Sequence, residues 1–262
     1  MRTLVFLKTH YINDFVLNEL DKLKACSGKS QKTILFIDNH VNFLNINDNG
    51  IKHLIFNNKR QECFVFDKDV FSTMGLPYYT NKSDNVLFSK LMWYCCDYPI
   101  YVIRKFYPDY DYYWQIESDV FFNGKNYKPF FSRFKNDNRD LLLTLFSEYD
   151  LSKSPNKVPQ NDDWVYHNQV RGAGFFPVVR LSAKAADICY KKRLEHVKLF
   201  EKFKDNPDNR WVYSENFVAT ECVQNGLNCG SLNEMNIRFM PRYKKEDIPE
   251  ADNKIYHPLK NI

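Results

Sequence analysis

Asp109-Tyr-Asp-Tyr-Tyr-Trp-Gln-Ile-Glu-Ser-Asp-Val-Phe-Phe-Asn-Gly124 changes character halfway along its length. From Tyr110 to Ile116 it is aromatic and apolar, the composition of a strand packed inside a sheet. Glu117 and Asp119 follow where the apolar run ends. Side chains two residues apart on a strand point to the same face, so these two carboxylates can converge on one point beside Ser118. Such a pair can hold a divalent cation that keeps its other positions for water and phosphate oxygens. The same residues also suit a strand that runs into a solvated polar turn. Charged groups at the end of a central strand lie where open α/β sheets bind their ligands.

The chain around this stretch has 262 residues, 44% of them hydrophobic and 16% aromatic. That is enough for one large α/β domain with a substantial core. Against 32 acidic residues stand 37 basic ones, a formal charge of +5. The excess is too small and too dispersed for a nucleic-acid-binding stripe. It is compatible with an anionic ligand or with peripheral contact at a membrane surface. The seven cysteines include no CxxC pair, so the expectation is reduced thiols and a cytoplasmic setting. The apolar run Leu4–Leu7 is too short for a signal peptide. No apolar stretch reaches the roughly 20 residues that span a bilayer, so any membrane association is expected to be peripheral, at the inner face.

Upstream of the central stretch, Leu4 to Leu7 reads as a strand. Ile12, Phe15, Val16, Leu20 and Leu23 mark one face of a helix, and Thr33 to Ile37 reads as a second strand ending in Asp38-Asn-His40. This strand–helix–strand order implies a parallel pair whose ends form a natural nucleotide site. Residues 42–62 read as loop with a short strand at His53–Phe56, and Cys63–Phe66 as a further strand. Val86 to Phe106 reads as a long helix that Pro99 would kink or break. Downstream, Tyr127–Phe134 reads as a helix and Asp140–Phe146 as a strand ending in Ser147-Glu-Tyr-Asp150. Residues 151–170 read as a loop. Arg171-Gly-Ala-Gly174 leads into an apolar run to Leu181, where Gly172 and Gly174 could let backbone approach a sugar. Ser182 caps a helix to about Phe203, and Ser214 is placed to cap another over Glu215–Asn225, closed by Gly226. Asn236–Met240 is the last strand candidate.

The central motif resembles the Tyr-Asp-x-Tyr-Trp-x-x-Glu-x-Asp-Val…Gly signature of the GT-A-like proteins described as DUF3405. Arg180-Leu-Ser182 opening a helix, the Ser214-Glu215 helix start and the late His257-Pro258 are also similar. The order of pieces resembles a GT-A glycosyltransferase over most of the chain. The first 60 residues match only as a strand–helix–strand pattern. The resemblance implies a single GT-A-like, Rossmann-related α/β domain with a central mixed, mostly parallel sheet flanked by helices. Residues 1–124 would form its nucleotide-sugar half, and residues 125–262 its acceptor half and tail. It also implies a nucleotide-sugar donor, a divalent cation (Mn²⁺ or Mg²⁺), and transfer of the sugar to a hydroxyl of a glycan or lipid-linked glycan.

That chemistry assigns candidate roles. A cation neutralises charge on the departing phosphate. Asp119 is the first ligand, Glu117 a second ligand or a ribose contact, and His257 the late histidine that the resemblance adds. An acceptor hydroxyl must give up its proton to a carboxylate: Glu215, which the resemblance places at a helix start, is preferred over Glu148. Thr9, His10 and Asp38 end strands where base and ribose would lie, although Asp38-Asn39 is also a good turn former. Arg238, Arg242 and Lys260 are candidates for phosphate contacts. Two other readings share these residues, namely a non-catalytic nucleotide- or sugar-binding module and a metal-dependent phosphoryl or nucleotidyl transferase.

Overall fold

The computed structural model describes residues 1–40, 43–67, 69–77, 95–150, 166, 170–203, 211–233, 235–237 and 242–259. Strand β1 (Thr3–Thr9), helix α1 (Asp14–Lys24) and strand β2 (Gln31–Asp38) open the chain. The Asn13 side chain accepts the Val16 N–H at 3.0 Å and caps α1. The helix buries Val16, Leu20 and Leu23 against the sheet, the face its spacing predicts. Strands β1 and β2 pair in parallel, Thr3 opposite Gln31 through Thr9 opposite Ile37.

Residues 42–62 depart from the loop expectation. Strands β3 (Gly50–Phe56) and β4 (Lys59–Phe66) form an antiparallel hairpin. Its two-residue turn is Asn57-Asn58, with φ of 48° and 60°. Such tight turns match the strand twist only with positive φ at both positions, which asparagine tolerates. A short helix α2 (Asp69–Ser72) follows. The long helix expected over 86–106 is also corrected where it is described. Cys95–Asp97 form a turn, and helix α3 runs only over Tyr98–Phe106. Pro99 stands in its first turn, where a missing N–H costs nothing, so it starts this helix rather than kinking it. Residues 86–94 of that expectation lie outside the described residues, as do most of the expected loop 151–170, Arg238 and Lys260.

The central stretch forms β5 (Tyr112–Glu117) and, after a turn, β6 (Phe121–Phe122). Helix α4 (Lys128–Arg133), strands β7 (Leu141–Asp150) and β8 (Val170–Ser182), helices α5 (Ala183–Phe203) and α6 (Ser214–Gln224), and strands β9 (Cys229–Leu232), β10 (Met235–Ile237) and β11 (Ile255–His257) complete the order. Eight strands make one sheet in the order β3-β4-β2-β1-β5-β8-β7-β9, and β10-β11-β6 make a second, small one. In the large sheet β1, β2, β4 and β5 run parallel to one another, as do β7 and β9. Antiparallel pairs join β3 to β4 and place β8 between β5 and β7. The sheet is mixed, mostly parallel and flanked by helices, as expected of the α/β reading.

Both faces of the sheet are covered, so its central strands are apolar throughout. On β1, Leu4 and Phe6 join the core under α3, α5 and α6, while Val5 and Leu7 join the core under α1 and α4. Among the described residues no helix is long and apolar enough to cross a membrane. All seven cysteines are free.

Two corrections concern how α6 sits. Gly172 and Gly174 belong to a continuous strand, and both serve packing. A Cβ at Gly172 would meet the Ala219 backbone of α6 at 2.7 Å, and one at Gly174 would meet Leu143 at 2.3 Å. The Gly172 N–H and C=O are both bonded by the Thr220 hydroxyl, at 3.2 and 3.1 Å. Ser214 does not cap α6. Its hydroxyl turns inward to donate to Asp97 and accepts the Asp97 backbone N–H at 3.1 Å. Asp97 in turn takes two bonds from Arg193 of α5, at 2.8 and 3.2 Å, and one from the Tyr101 hydroxyl at 2.7 Å. Neither ion is exposed. The start of α6 is therefore held by a buried ion pair between the start of α3 and the middle of α5.

Breaking that pair from one side leaves a buried charge uncompensated. Arg193→Met should cost about 3–5 kcal/mol in urea denaturation, and Asp97→Asn, which keeps hydrogen-bonding capacity, should cost less. Gly172→Ala should cost about 1–3 kcal/mol by overpacking α6 against β8, measured in the same titration.

Candidate active site

The site lies at the C-terminal ends of β1 and β5, whose parallel register sets Lys8 opposite Glu117. The Lys8 ammonium donates to Glu117 Oε1 at 2.8 Å with only 9% of the residue exposed. Burial works against the charged amine, but the charge and hydrogen bond of Glu117, with the further negative groups around it, together outweigh it and raise the Lys8 pKa. After Glu117 the chain turns, with the Val120 N–H bonded to the Glu117 carbonyl at 3.1 Å. The turn brings Asp119 to the same side, as the i, i+2 spacing predicts.

His257 reaches this point from the far end of the sequence. Strand β11 pairs antiparallel with β6, Ile255 opposite Phe122 and Tyr256 opposite Phe121. The Leu259 N–H bonds the Asp119 carbonyl at 3.0 Å. The tail is thus laid along the turn that carries Asp119. His257 Nε2 lies 3.2 Å from Asp119 Oδ1 and 3.7 Å from Glu117 Oε2. One ligand atom from each of Glu117, Asp119 and His257 lies within 4.8 Å of the others. Burial raises the Asp119 pKa, but the His257 hydrogen bond and charge outweigh it and hold the carboxyl below its ordinary value. Two carboxylates and an imidazole suit a divalent ion that accepts oxygen ligands plus one nitrogen. The imidazole's other nitrogen, Nδ1, is buried without a hydrogen-bond partner.

Glu215 is the third acid of the site. It stands in the first turn of α6 and accepts a hydrogen bond from the Phe176 backbone of β8. Burial and then the nearby Glu117 charge push its pKa up to about 7, against the pull of Lys8 and His257. It therefore exchanges its proton near neutral pH, the range that suits a general base.

The other candidates are placed as follows. The Thr9 hydroxyl closes a local turn, donating to the Tyr11 carbonyl at 2.5 Å and accepting its N–H at 3.2 Å. His10 is exposed at the mouth of the site, against the Tyr11 ring at 4.8 Å. Asp38 is buried at the end of β2, where burial raises its pKa; it accepts the His40 N–H at 3.1 Å and faces His40 Nδ1 at 2.8 Å. Glu148 is exposed on β7 opposite Gly172, in a strand that continues past the expected end through a bulge. Arg242 is exposed. The sequence reading missed two contributors. Lys8 carried a signal, a lysine continuing a fully apolar strand. Tyr11, whose hydroxyl bonds the Ser118 side chain, carried none.

No protein-family model matches the chain, and the DUF3405 likeness stays a resemblance of short motifs. No curated protein matches its sequence. Several solved glycosyltransferase structures are similar to it. Core-mannan synthase A from Aspergillus fumigatus in its Mn/GDP form is 12% identical, with a TM-score of 0.47 over 88% of this chain and 73% of that one. Mouse xyloside xylosyltransferase 1 is 13% identical, with a TM-score of 0.47 over 98% and 96%. The galactosyltransferase LgtC, in complex with donor and acceptor sugar analogues, is 11% identical, with a TM-score of 0.43 over 90% and 75%.

The Glu215 pKa has a consequence for stability. Between the ordinary carboxylate value of 4.5 and about 7 the folded chain holds a proton that the unfolded chain has released. Stability must fall as pH rises through that window. In chelator-treated protein, Glu215→Gln should be the more stable form at pH 8 by up to about 3 kcal/mol, with the difference vanishing near pH 4. Denaturation curves at the two pH values measure this, and a variant that is less stable at pH 8 would refute it.

Proposed function

We propose that the chain is a metal-dependent glycosyltransferase that moves a sugar from a nucleotide-sugar donor to a hydroxyl of a glycan or lipid-linked glycan. The observation that carries this reading is the convergence of Glu117, Asp119 and His257 beside Glu215. The resemblance of the central motif to GT-A glycosyltransferases supports the choice of donor. Asp119, Glu117 and His257 would hold the cation, Mn²⁺ or Mg²⁺, which would supply positive charge against the leaving diphosphate. Lys8 fixes one Glu117 oxygen and leaves the other facing His257. The parallel half of the sheet, with Thr9, His10 and Asp38 at its strand ends, receives base and ribose. Glu215 takes the proton of the acceptor hydroxyl, and its pKa near 7 lets it do so at neutral pH. The α6 anchor through Ser214, Asp97 and Arg193 keeps Glu215 in reach, and small displacements of a catalytic group are costly.

A panel of nucleotide sugars with and without Mn²⁺ tests the reading, scored for donor binding, hydrolysis and transfer. Asp119→Ala should bind Mn²⁺ at least about tenfold more weakly and lose metal-supported turnover while staying folded. Glu215→Gln should keep donor binding and lose transfer by about 10²–10⁴-fold. Turnover of nucleoside triphosphates with no binding of any nucleotide sugar would establish phosphoryl or nucleotidyl transfer instead.

A further inference from the structure

The β3 edge of the large sheet carries more apolar surface than a solvated edge needs. Strand β3 is the last strand on that side and pairs only with β4. The pairing runs from Gly50 opposite Val65 to Phe56 opposite Lys59 without a register shift. Solvated edges are commonly blunted by proline, by a bulge or by an outward charge. Strand β3 has no proline and no bulge, and its one lysine, Lys52, is held by Asp48.

The closing turn decides which backbone groups are left over. A two-residue turn makes Phe56 and Lys59 the hydrogen-bonded pair that flanks it, and such pairs recur at every second residue. Leu54, Lys52 and Gly50 therefore also bond β4, whereas Ile51, His53 and Ile55 aim their N–H and C=O groups at the open edge. Among the described residues nothing takes those groups up. The side chains of the same three residues share one face. All three are exposed, Ile51 to 43% and Ile55 to 73%. Ile51 stands opposite Phe64. The Phe64 ring is in edge contact at 4.8 Å with Phe106 of α3, itself 42% exposed. Ile51, Ile55 and Phe106 are thus gathered at one edge, and clustered apolar exposure marks a contact surface where scattered single residues do not.

We propose that β3 pairs with β3 of a second copy of this chain, antiparallel about a two-fold axis at His53, to give a homodimer with one continuous sheet. The choice of a second copy rests on self-complementarity, which a two-fold contact requires. With His53 opposite itself, Ile51 of each copy falls opposite Ile55 of the other. Every such pair joins residues whose N–H and C=O groups point outward, so backbone bonds close at all three positions. The four isoleucines then form one apolar patch on one face. The charges agree as well. The start of β3, beside the 75% exposed Asp48 side chain, meets the other copy's turn, where the Lys59 side chain is 62% exposed. This two-fold runs through the plane of the sheet, so the strand ends that carry the two candidate sites point in opposite directions. The inference does not depend on the transfer reaction.

Sedimentation velocity of the whole protein at pH 8, over a micromolar concentration series, tests this. The unmodified chain should shift from monomer to dimer as concentration rises. Ile55→Lys puts a charge in the apolar patch, and His53→Pro removes a donor that only the second copy uses. Each should weaken dimerisation at least about tenfold, with circular dichroism confirming that the variants fold. Leu145→Asn, at an exposed leucine of β7 with φ of 54°, should leave the dimer unchanged. With diamide as oxidant, His53→Cys should cross-link to its own copy, because opposed Cα atoms about 5.5 Å apart are within disulfide reach. Ile55→Cys should not, because its two copies lie four residues apart along the strands, about 13 Å. A monomer at every concentration, full-strength dimerisation in either strand variant, loss of the dimer in Leu145→Asn, or no preference for the His53→Cys cross-link would overturn the proposal. Donor binding and transfer are read separately, so failure here leaves the glycosyltransferase reading intact, and loss of that reading leaves this one testable.

Discussion

The parallel pairing of β1 with β5 is the constraint on which the site depends. Each strand is apolar until its last turn, and each then carries a charge into a poorly hydrated place. Alone, a Lys8 ammonium that is 9% exposed would have to lose its proton or pull its strand end toward water. The register sets it against Glu117, and at 2.8 Å the two charges compensate each other. A slip of the pairing would bury both ions unpaired and reverse the faces of Leu4 to Leu7. Hydrophobic alternation and the ion pair therefore select the same alignment.

A second buried ion pair does for the start of α6 what Lys8 does for the end of β5. Asp97 and Arg193 lie wholly inside and share their remaining hydrogen-bonding capacity with Tyr101, Ser214 and the Val212 carbonyl. The Arg193 guanidinium also lies 3.7 Å from the centre of the Phe217 ring, a cation–π contact from α5 onto α6. Ionic and apolar contacts together fix where α6 begins, and Glu215 is its second residue. The close approach at Gly172 then sets how deeply α6 lies on β8. Helix, strand and acid are positioned by buried ionic and packing contacts.

Much of this was legible in the chain of letters. The strand–helix–strand opening, the amphipathic face of α1, the central β5 and the two acids at its end follow from periodicity and from where polarity changes. Ser182 does cap α5, accepting the Ala185 N–H at 3.0 Å. What was hidden is what depends on distant partners. Asn57-Asn58 looked like one more polar pair in an Asn- and Lys-rich stretch, and only the flanking register makes it a hairpin turn. Ser214 has the chemistry of a cap and stands at a helix start, yet a buried carboxylate 117 residues away outcompetes the helix for its hydroxyl. Gly172 and Gly174 read as ligand-facing because glycine lets anything approach; the structure shows that helix α6 and Leu143 approach there. His257 could be named only through a resemblance, because nothing local to the tail says that β11 will pair with β6.

The assembled site is unbalanced in charge, and the imbalance is informative. Lys8 offsets Glu117, but Asp119 remains ionised beside an imidazole, and Glu215 sits near enough to feel Glu117 and hold its proton to about 7. Three carboxyl groups and one committed ammonium leave the pocket short of positive charge. An acid that keeps its proton into the neutral range is one way a pocket relieves that shortage; a divalent ion is another. The two are alternatives in the same electrostatic balance, because a cation at Glu117, Asp119 and His257 would lower the cost of ionising Glu215. Binding of such an ion and ionisation of Glu215 would be coupled through the same carboxylate. Glu117 is the centre of that balance, since its charge is the one that both Lys8 and Glu215 sense.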